Sequence, residues 1–502
     1  MLAQDFVAPP VEWWHLSPLI ALVSGALFLL VVGALTPTWP RGGYAAVTAL
    51  TAIVAGGLAL FQWDEITDDG AGTILSGALA FDTLSQFVTI TICAATLLVA
   101  LVTADDLHAA GRDAPEVYAV MLVSATGGVV MASANDLIVL FLGLETLSLA
   151  LYVLAASDRA RTASQESGMK YFVLGSFASA FFLYGVALVY GGTQSTNISA
   201  MVDAFQGSLL VDGQDSLVLA GIAMLIVGLG FKVAAVPFHV WTPDVYEGAP
   251  TPVTAFMASV GKAAAFAAML RVLVVALPFH RDDWRPVIWG LALLSLVVGS
   301  VLAVVQNDVK RLLAYSSINH AGFILVGVEA ASHRAGEVDL GGGMPSVVVY
   351  LLLYAVMTVG SFAIVAVVAG QSGGDTSITA FNGLAARQPA LALGLTVLLL
   401  AQAGVPLTAG FIAKWGVIQA AVEEESYVIA VIAMVTAVVG AYVYLRVMVA
   451  VWLRDAPAGA LSERVPFMTG LSVFAAAAFT LVIGVWPQWL LGAADHVTAY
   501  AR

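Results

Sequence analysis

About fourteen apolar segments of helix length, separated by short polar breaks, leave this chain few folds to adopt. Their limits fall near 18–37, 43–62, 82–104, 116–134, 136–156, 168–190, 216–240, 251–277, 287–305, 310–330, 346–370, 389–422, 427–453 and 465–492. A helix needs about 20 mostly apolar residues to cross the hydrocarbon layer. In lipid, only helices and closed barrels satisfy their own backbone. The segments therefore predict an all-α polytopic membrane protein. Composition agrees, with 60% hydrophobic and 10% charged residues, where a soluble domain carries about 25% charged. The polar loops are too short to bury cores of their own.

The charge is distributed by loop. A net charge of −14 argues against a nucleic-acid partner, whose phosphates call for clustered cations. The sole cysteine, Cys93, lies in an apolar run. One thiol holds neither an internal disulfide nor an iron–sulfur cluster. The start of the chain has no basic n-region and no small-residue cleavage site, so it does not read as a cleaved signal peptide. Trp13 and Trp14 suit interfacial anchors. With the N-terminus outside, the inner loops carry Arg41, Arg112, Arg159, Arg161, Lys170, Lys310, Arg311, Arg387, Arg454 and Arg464. The outer loops then carry mainly Arg281, Arg285, Arg334 and Arg502. That excess predicts both termini on the outer side, with Arg271 snorkelling at an outer helix end.

The anomaly is lysine. Only five are present, and Lys232, Lys262 and Lys414 fall in the middle of apolar segments. A cation at that depth costs about 2.5 kcal/mol or more, so it is avoided or used. Low dielectric disfavours the ammonium form, and a nearby carboxylate restores it. Moving such a carboxylate would switch a lysine between holding and releasing a proton. Glu145, mid-span in FLGLETLSL, is the expected partner of Lys232. His320, in the middle of KRLLAYSSINHAGFILVG, is either a relay that donates and accepts or a packing histidine. His239, two residues after Pro237, is expected to cap a helix end, with proton transfer as the other reading. Lys310 and Arg311 are expected as topology signals, and Asn135 and Asp136 as caps of a tight αα-hairpin.

Two segments combine a lysine with an internal proline: Lys232 with Pro237, and Lys414 with Pro406. Proline breaks the helix, and freed carbonyls at membrane depth need protein or a wet cavity. Broken segments in corresponding halves point to inverted repeats and an ion path between them. The expected organisation is an N-terminal three-helix segment (1–110), two inverted five-helix repeats each with one broken helix (111–280 and 281–456), and a C-terminal helix (457–502). Signatures of nucleotide, flavin or metal sites are missing: there is no P-loop, no GxGxxG, no HExxH and no Cys/His cluster.

Four blocks, FLGLETLSL, GFKVAAVPFHVWTPDVYEGAPTPVTAF, QNDVKRLLAYSSINHAGF and AGVPLTAGFIAKW, resemble the antiporter-like subunits of respiratory complex I, the proton-pumping NADH:quinone oxidoreductase. The core is shared with large subunits of Mrp-type Na+/H+ antiporters. The wording PDVYEGAPTPVT is most similar to the subunit N members, and Lys414 stands where subunit M members resemble one another in carrying glutamate. The resemblance implies fourteen helices and proton-path roles for Glu145, Lys232, Lys262 and Lys414. It implies that quinone, flavin and iron–sulfur chemistry belong to other subunits, with no cofactor in this chain. It further implies a hetero-oligomer with other membrane-arm subunits and lipids, in a bacterial inner membrane. Asn319 departs from the small apolar residue common in relatives. Three functions compete: a proton-translocating subunit of a redox-driven complex, a cation/proton antiporter subunit without a redox partner, and a membrane scaffold. Buried lysines argue against the scaffold, and only the partners separate the first two.

Overall fold

The computed structural model describes residues 11–36, 39–112, 114–206, 214–337, 341–456 and 464–497; Arg502 lies outside them. Twelve described helices are long and apolar enough to cross a membrane. The chain begins with α1 (Ser17–Leu35), α2 (Gly43–Asp69) and α3 (Thr83–Ala109). The hairpin α4 (Pro115–Ser133) and α5 (Leu137–Ala155) follows, then α6 (Thr162–Thr193), α7 (Ile198–Gln206), α8 (Gln214–Val233) and the short α9 (Trp241–Gly248). Next come α10 (Thr251–Ala276), α11 (Arg281–Val304), α12 (Val309–Ser332) and α13 (Gly343–Gln371). The rest is α14 (Pro389–Ala403), α15 (Ala409–Glu423), α16 (Tyr427–Leu453), α17 (Phe467–Val485) and α18 (Gln488–Ala494). The expected segment 389–422 is thus two half-helices, α14 and α15, and 216–240 stops at Val233 before a break. One departure from an all-helical chain is the two-stranded hairpin Gly72–Ile74 and Leu79–Phe81.

Burial sorts the helices. Helices α10 and α13 are almost wholly enclosed, while α1, α16 and α17 present broad apolar faces outward. Exposed Leu, Val and Phe on those outer helices suit lipid or a neighbouring membrane chain. Successive spans, with α14 and α15 together making one, alternate in direction between a near face, where α1 begins, and a far face. Trp14 on the near face donates its indole N–H to Glu65 at 2.8 Å.

One device occurs twice. In the α4/α5 hairpin, Asp136 caps α5 by accepting from Ile138 N at 2.8 Å and Val139 N at 3.3 Å. A short antiparallel bridge joins Asp136 to Asn197, and Thr196 donates its hydroxyl to Asp136 at 2.7 Å. In α11/α12, Asp308 caps through Arg311 N at 2.9 Å, bridges to Ser377 and accepts from the Thr376 hydroxyl. The first copy lies at the near face and the second at the far face. Each hairpin also crosses through a glycine. A Cβ on Gly127 would meet Leu147 N at 2.4 Å, and one on Gly299 would meet Asn319 N at 2.5 Å. Only a residue without a side chain lets the backbones come that close.

Three expectations need correcting. Asn135 does not cap; its amide donates to Gly77 O at 2.9 Å and so ties the α4/α5 turn to the β-hairpin. Arg271 does not snorkel. It is 1% exposed and grips Asp82 with two bonds of 2.9 and 2.7 Å, while its Nε donates to the Ala132 carbonyl. A planar guanidinium matches a carboxylate two-to-two, and the buried pair satisfies carbonyl and acid together. Lys310 is not a loop topology signal but a buried residue, 2% exposed.

Candidate functional site

The two breaks show why proline segments hold lysines. After Val233 the chain turns through Ala234 at φ 61°, and Pro237 supplies no N–H. Neighbours satisfy what is freed: Ser295 Oγ accepts from Val236 N at 2.9 Å, and Trp241 Nε1 donates to Phe231 O at 3.1 Å. Lys232 stands in the last turn of α8, at the carbonyl end where the helix dipole favours a cation. The second break turns through Gly404 at φ 89°. Lys414 belongs to the half-helix after the break, yet its Nζ reaches back to Ala403 O at 3.0 Å. Both lysines therefore sit at the C-terminal end of a half-helix, one by membership and the other by reach. Lys310 repeats the theme, donating to Ala249 O, just past α9, at 2.7 Å.

Lys232 is 6% exposed. Its ammonium donates to Ser148 Oγ at 2.6 Å and Tyr152 Oη at 3.3 Å, with the Tyr152 ring centroid 5.4 Å away. Glu145 makes no ion pair with it, contrary to expectation. That acid sits one turn before Ser148 on α5 and is only half-buried, and its buried Oε1 has no partner. Exposed Leu142 and Leu149 flank it. The two residues share one side of α5, and the Lys232 ammonium stands level with Ser148 and Tyr152, one turn beyond Glu145.

Lys262 follows a π-helical stretch, Met257–Gly261, a wide turn of a kind frequent at functional sites. It is 2% exposed and donates to Ser317 O at 2.5 Å. His320, 1% exposed, is held by both ring nitrogens, Nδ1 to Tyr350 Oη at 2.7 Å and Nε2 to Tyr444 Oη at 3.3 Å. Tyr444 in turn bonds Ser316. Lys414, 5% exposed, points over the Phe323 ring at 4.8 Å, one turn along α12 from His320. Asn319 donates to Leu296 O at 2.9 Å and so fastens α12 to α11.

His239 does not cap α9, which has no side-chain cap, and its Nδ1 is buried without a partner. Burial holds this imidazole below its usual range, against the Pro237 carbonyl, which accepts from the ring. Asp244 and Glu247 receive a role: Arg311 bonds each at 2.8 Å, and Lys170 bonds Asp244 at 3.0 Å. Partial burial pushes the Asp244 carboxyl up, but Lys170 and Arg311 outweigh it and hold the group below the usual carboxylate range. This knot pins α9 to α6 and α12 at the far face. Among the described residues no group of three His, Cys, Asp or Glu is placed to hold a metal ion.

Residues 134–440 match the family described as NADH:quinone oxidoreductase/Mrp antiporter, TM. A subunit N of NADH-quinone oxidoreductase from Streptomyces griseus subsp. griseus is 40% identical, over 99% of this chain and 96% of that one. The chain belongs to the NADH-quinone oxidoreductase subunit N family. Its fold is similar to a chain of respiratory complex I from Thermus thermophilus, 33% identical with TM-score 0.77, covering 96% of this chain and all of that one (100%). The Mrp complex of Dietzia sp. DQ12-45-1b contains a chain with TM-score 0.83 at 20% identity, covering 96% of each, a likeness of fold alone.

For a member of the subunit N family, the neglected residues are those that surround the lysines. Ser148, Tyr152, Tyr350 and Tyr444 are polar residues inside apolar helices, and nothing local in the sequence says which buried cation they serve. Lys310 was concealed by the neighbouring Arg311, since a basic pair at a helix start reads as a loop signal. The available clue was the Asp308 cap, which places Lys310 within the first turn of the helix and not in the loop.

Proposed function

We propose that this chain is a proton-translocating membrane-arm subunit of an NADH:quinone oxidoreductase of the complex I type, assembled with other antiporter-like and small membrane subunits. The observation that carries the reading is that Lys232, Lys262, His320 and Lys414 are all buried, away from lipid, in the interior of the helix assembly. Each cation ends on a hydroxyl or a carbonyl, and no acid pairs with it directly. Such a lysine is held by neutral acceptors that cannot trap its proton as a carboxylate would. Redox energy enters through other subunits, and flavin, quinone and iron–sulfur chemistry lie there too. Glu145, half-open on the lateral surface with an unpartnered oxygen, supports contact with a neighbouring subunit at that depth. A carboxylate facing lipid would be costly.

The duplicated cap-and-bridge device, found once at each face, supports two inverted repeats spanning 111–280 and 281–456, with 1–110 and 457–502 as flanking segments. The excess of Lys and Arg on the far face supports both termini lying outside, in a bacterial inner membrane. NADH-driven proton uptake by inverted membrane vesicles tests the reading. Lys262→Ala is expected to abolish or sharply reduce it in an assembled complex. Wild-type pumping by that variant sinks the translocating role. Co-purification without NADH-oxidising subunits would instead favour a stand-alone antiporter.

A further inference from the structure

A 400 Å³ cavity at the far face lies away from the buried lysines, between the turn before α2, the end of α3 and the start of α4. Its walls carry Trp39, Arg41, Tyr44, His108, Arg112 and Tyr118, and no acid is among the described residues that line it. Two glycine turns bring the arginines to it. Helix α3 ends with Gly111 at φ 63°, whose N–H donates to His108 O at 2.9 Å, while Arg112 N donates to Leu107 O at 2.9 Å. That pair of bonds is the Schellman ending, which asks for left-handed backbone at the glycine. It folds Arg112 back over the turn that holds His108. On the opposite wall Gly42, at φ 76°, leads into α2 and leaves Arg41 at the entrance.

Neither guanidinium is saturated within the chain. The Arg41 side chain is 66% exposed and comes only to 3.9 Å from Asp105 Oδ1. Asp105 is already engaged at the start of α17, accepting from Thr469 N at 2.8 Å and from its hydroxyl at 3.0 Å. Arg112 donates to Ser157 O at 3.0 Å and stands 3.5 Å from Asp158 Oδ1. An arginine has five N–H donors, so these contacts hold the Arg112 fork in place without filling it. A side chain already held loses little freedom when it takes a ligand. The aromatic residues set the depth. Trp39 stacks on Tyr44 at 4.9 Å and meets the ring of exposed Phe28 on α1 edge-on at 6.2 Å. Trp and Tyr gather where headgroups meet acyl chains, and Phe28 continues this wall on to the apolar face of α1. The cavity is cationic and rich in donors at one end and apolar at the other.

We propose that this cavity binds the headgroup of an anionic phospholipid, with Arg41 and Arg112 on the phosphodiester, His108 as a further donor, and an acyl chain against Trp39 and Phe28. A planar guanidinium matches phosphate oxygens two at a time, and basic pockets between membrane helices take such headgroups. Free phosphate offers the same oxygens but gains nothing from the apolar wall. In the orientation proposed above the site belongs to the inner leaflet. It does not depend on the proton-translocating role.

The test uses the assembled complex, stripped of lipid in detergent and reloaded with phosphatidylglycerol or phosphatidylcholine. Each lipid carries a photoactivatable group near the start of one acyl chain, and cross-linked peptides are read by mass spectrometry. Phosphatidylglycerol should mark segments 28–45 and 104–118 at least about tenfold more than phosphatidylcholine, as expected where bonds to charged groups decide binding. Arg41→Gln combined with Arg112→Gln should erase that preference. Ala104→Phe keeps both arginines, fills the cavity from a lining position and should lose the labelling itself; it decides alone if the double variant does not assemble on a native gel. Equal labelling by the two lipids, or wild-type labelling in the assembled variants, overturns the site. Labelling erased by millimolar inorganic phosphate assigns the cavity to a free anion and overturns the lipid. A wild-type complex that is not labelled in these segments has the cavity covered by a neighbouring chain, and the proposal falls.

Discussion

The region from 115 to 277 and the region from 281 to 453 are built from the same parts and differ where a proton would be held. Both begin with an aspartate-capped hairpin joined by an isolated bridge to a Thr-containing loop segment. Both place an arginine on carbonyls at the end of the hairpin's first helix, Arg271 on Ala132 and Arg446 on Val304. Both break a helix at proline and set a lysine at the carbonyl end of the half-helix. Counted from the caps, Glu145 stands nine residues past Asp136, and Ser317 nine past Asp308; Ser148 and His320 each stand twelve past. The first region thus has an acid open to the lateral surface and a serine on the lysine. The second has a serine where the acid was and a histidine held between two tyrosines. On the proposed role, the first region senses a neighbouring subunit, and the second is sealed for relay.

The largest expected effect probes that division. Lys232→Ala removes the cation held by Ser148 and Tyr152 and should cut NADH-driven pumping at least about tenfold, roughly a 1.4 kcal/mol rise in the limiting barrier. Lys232→Arg should be nearly as poor, since arginine keeps its charge at any accessible pH. Fluorescence quenching of a ΔpH dye in vesicles reads both.

Glu145→Gln should lower turnover several-fold and Glu145→Asp less, because the acid acts on Lys232 through charge across Ser148 and not by a direct bond. If both variants behave alike, the sensing role of the first region is lost. A His320→Gln variant, by contrast, should stop proton transfer while leaving assembly intact, as judged by native gel.

The shared architecture can be broken symmetrically. Gly127→Val and Gly299→Val each force a side chain into the facing backbone and should each destabilise the fold by about 1–3 kcal/mol or more. Thermal unfolding of the purified complex should fall by similar amounts for the two. Unequal shifts would show that the hairpins are not equivalent supports.

The smallest effect is on acidification. The folded-state carboxyl of Asp244 lies below its usual range, so its contribution is present above the unfolded pKa of about 3.9 and is lost as pH falls through the folded value. Because the group is more than a third exposed, the loss is modest. Asp244→Asn should lower the neutral plateau of a stability–pH profile slightly and flatten its acid limb, so that variant and parent converge at low pH.

How much of this was legible beforehand differs by feature. The spans, the two breaks and the four buried titratable residues follow from the local sequence. Hydrophobic length, proline and a cation inside an apolar run are properties of single segments, and bilayer thickness and lysine desolvation act on each segment by itself. Partners do not follow in that way. Glu145 and Ser148 share one side of α5, so which of them Lys232 meets depends on the level at which the last turn of α8 packs against that helix. Whether Lys310 lies in a loop or under Ala249 depends on where α9 ends, 61 positions away. Arg271 and Asp82, 189 positions apart, could be joined only by folding. A lysine's depth is set by its own helix, but the acceptor that its ammonium bonds is set by elements brought beside it from elsewhere in the chain.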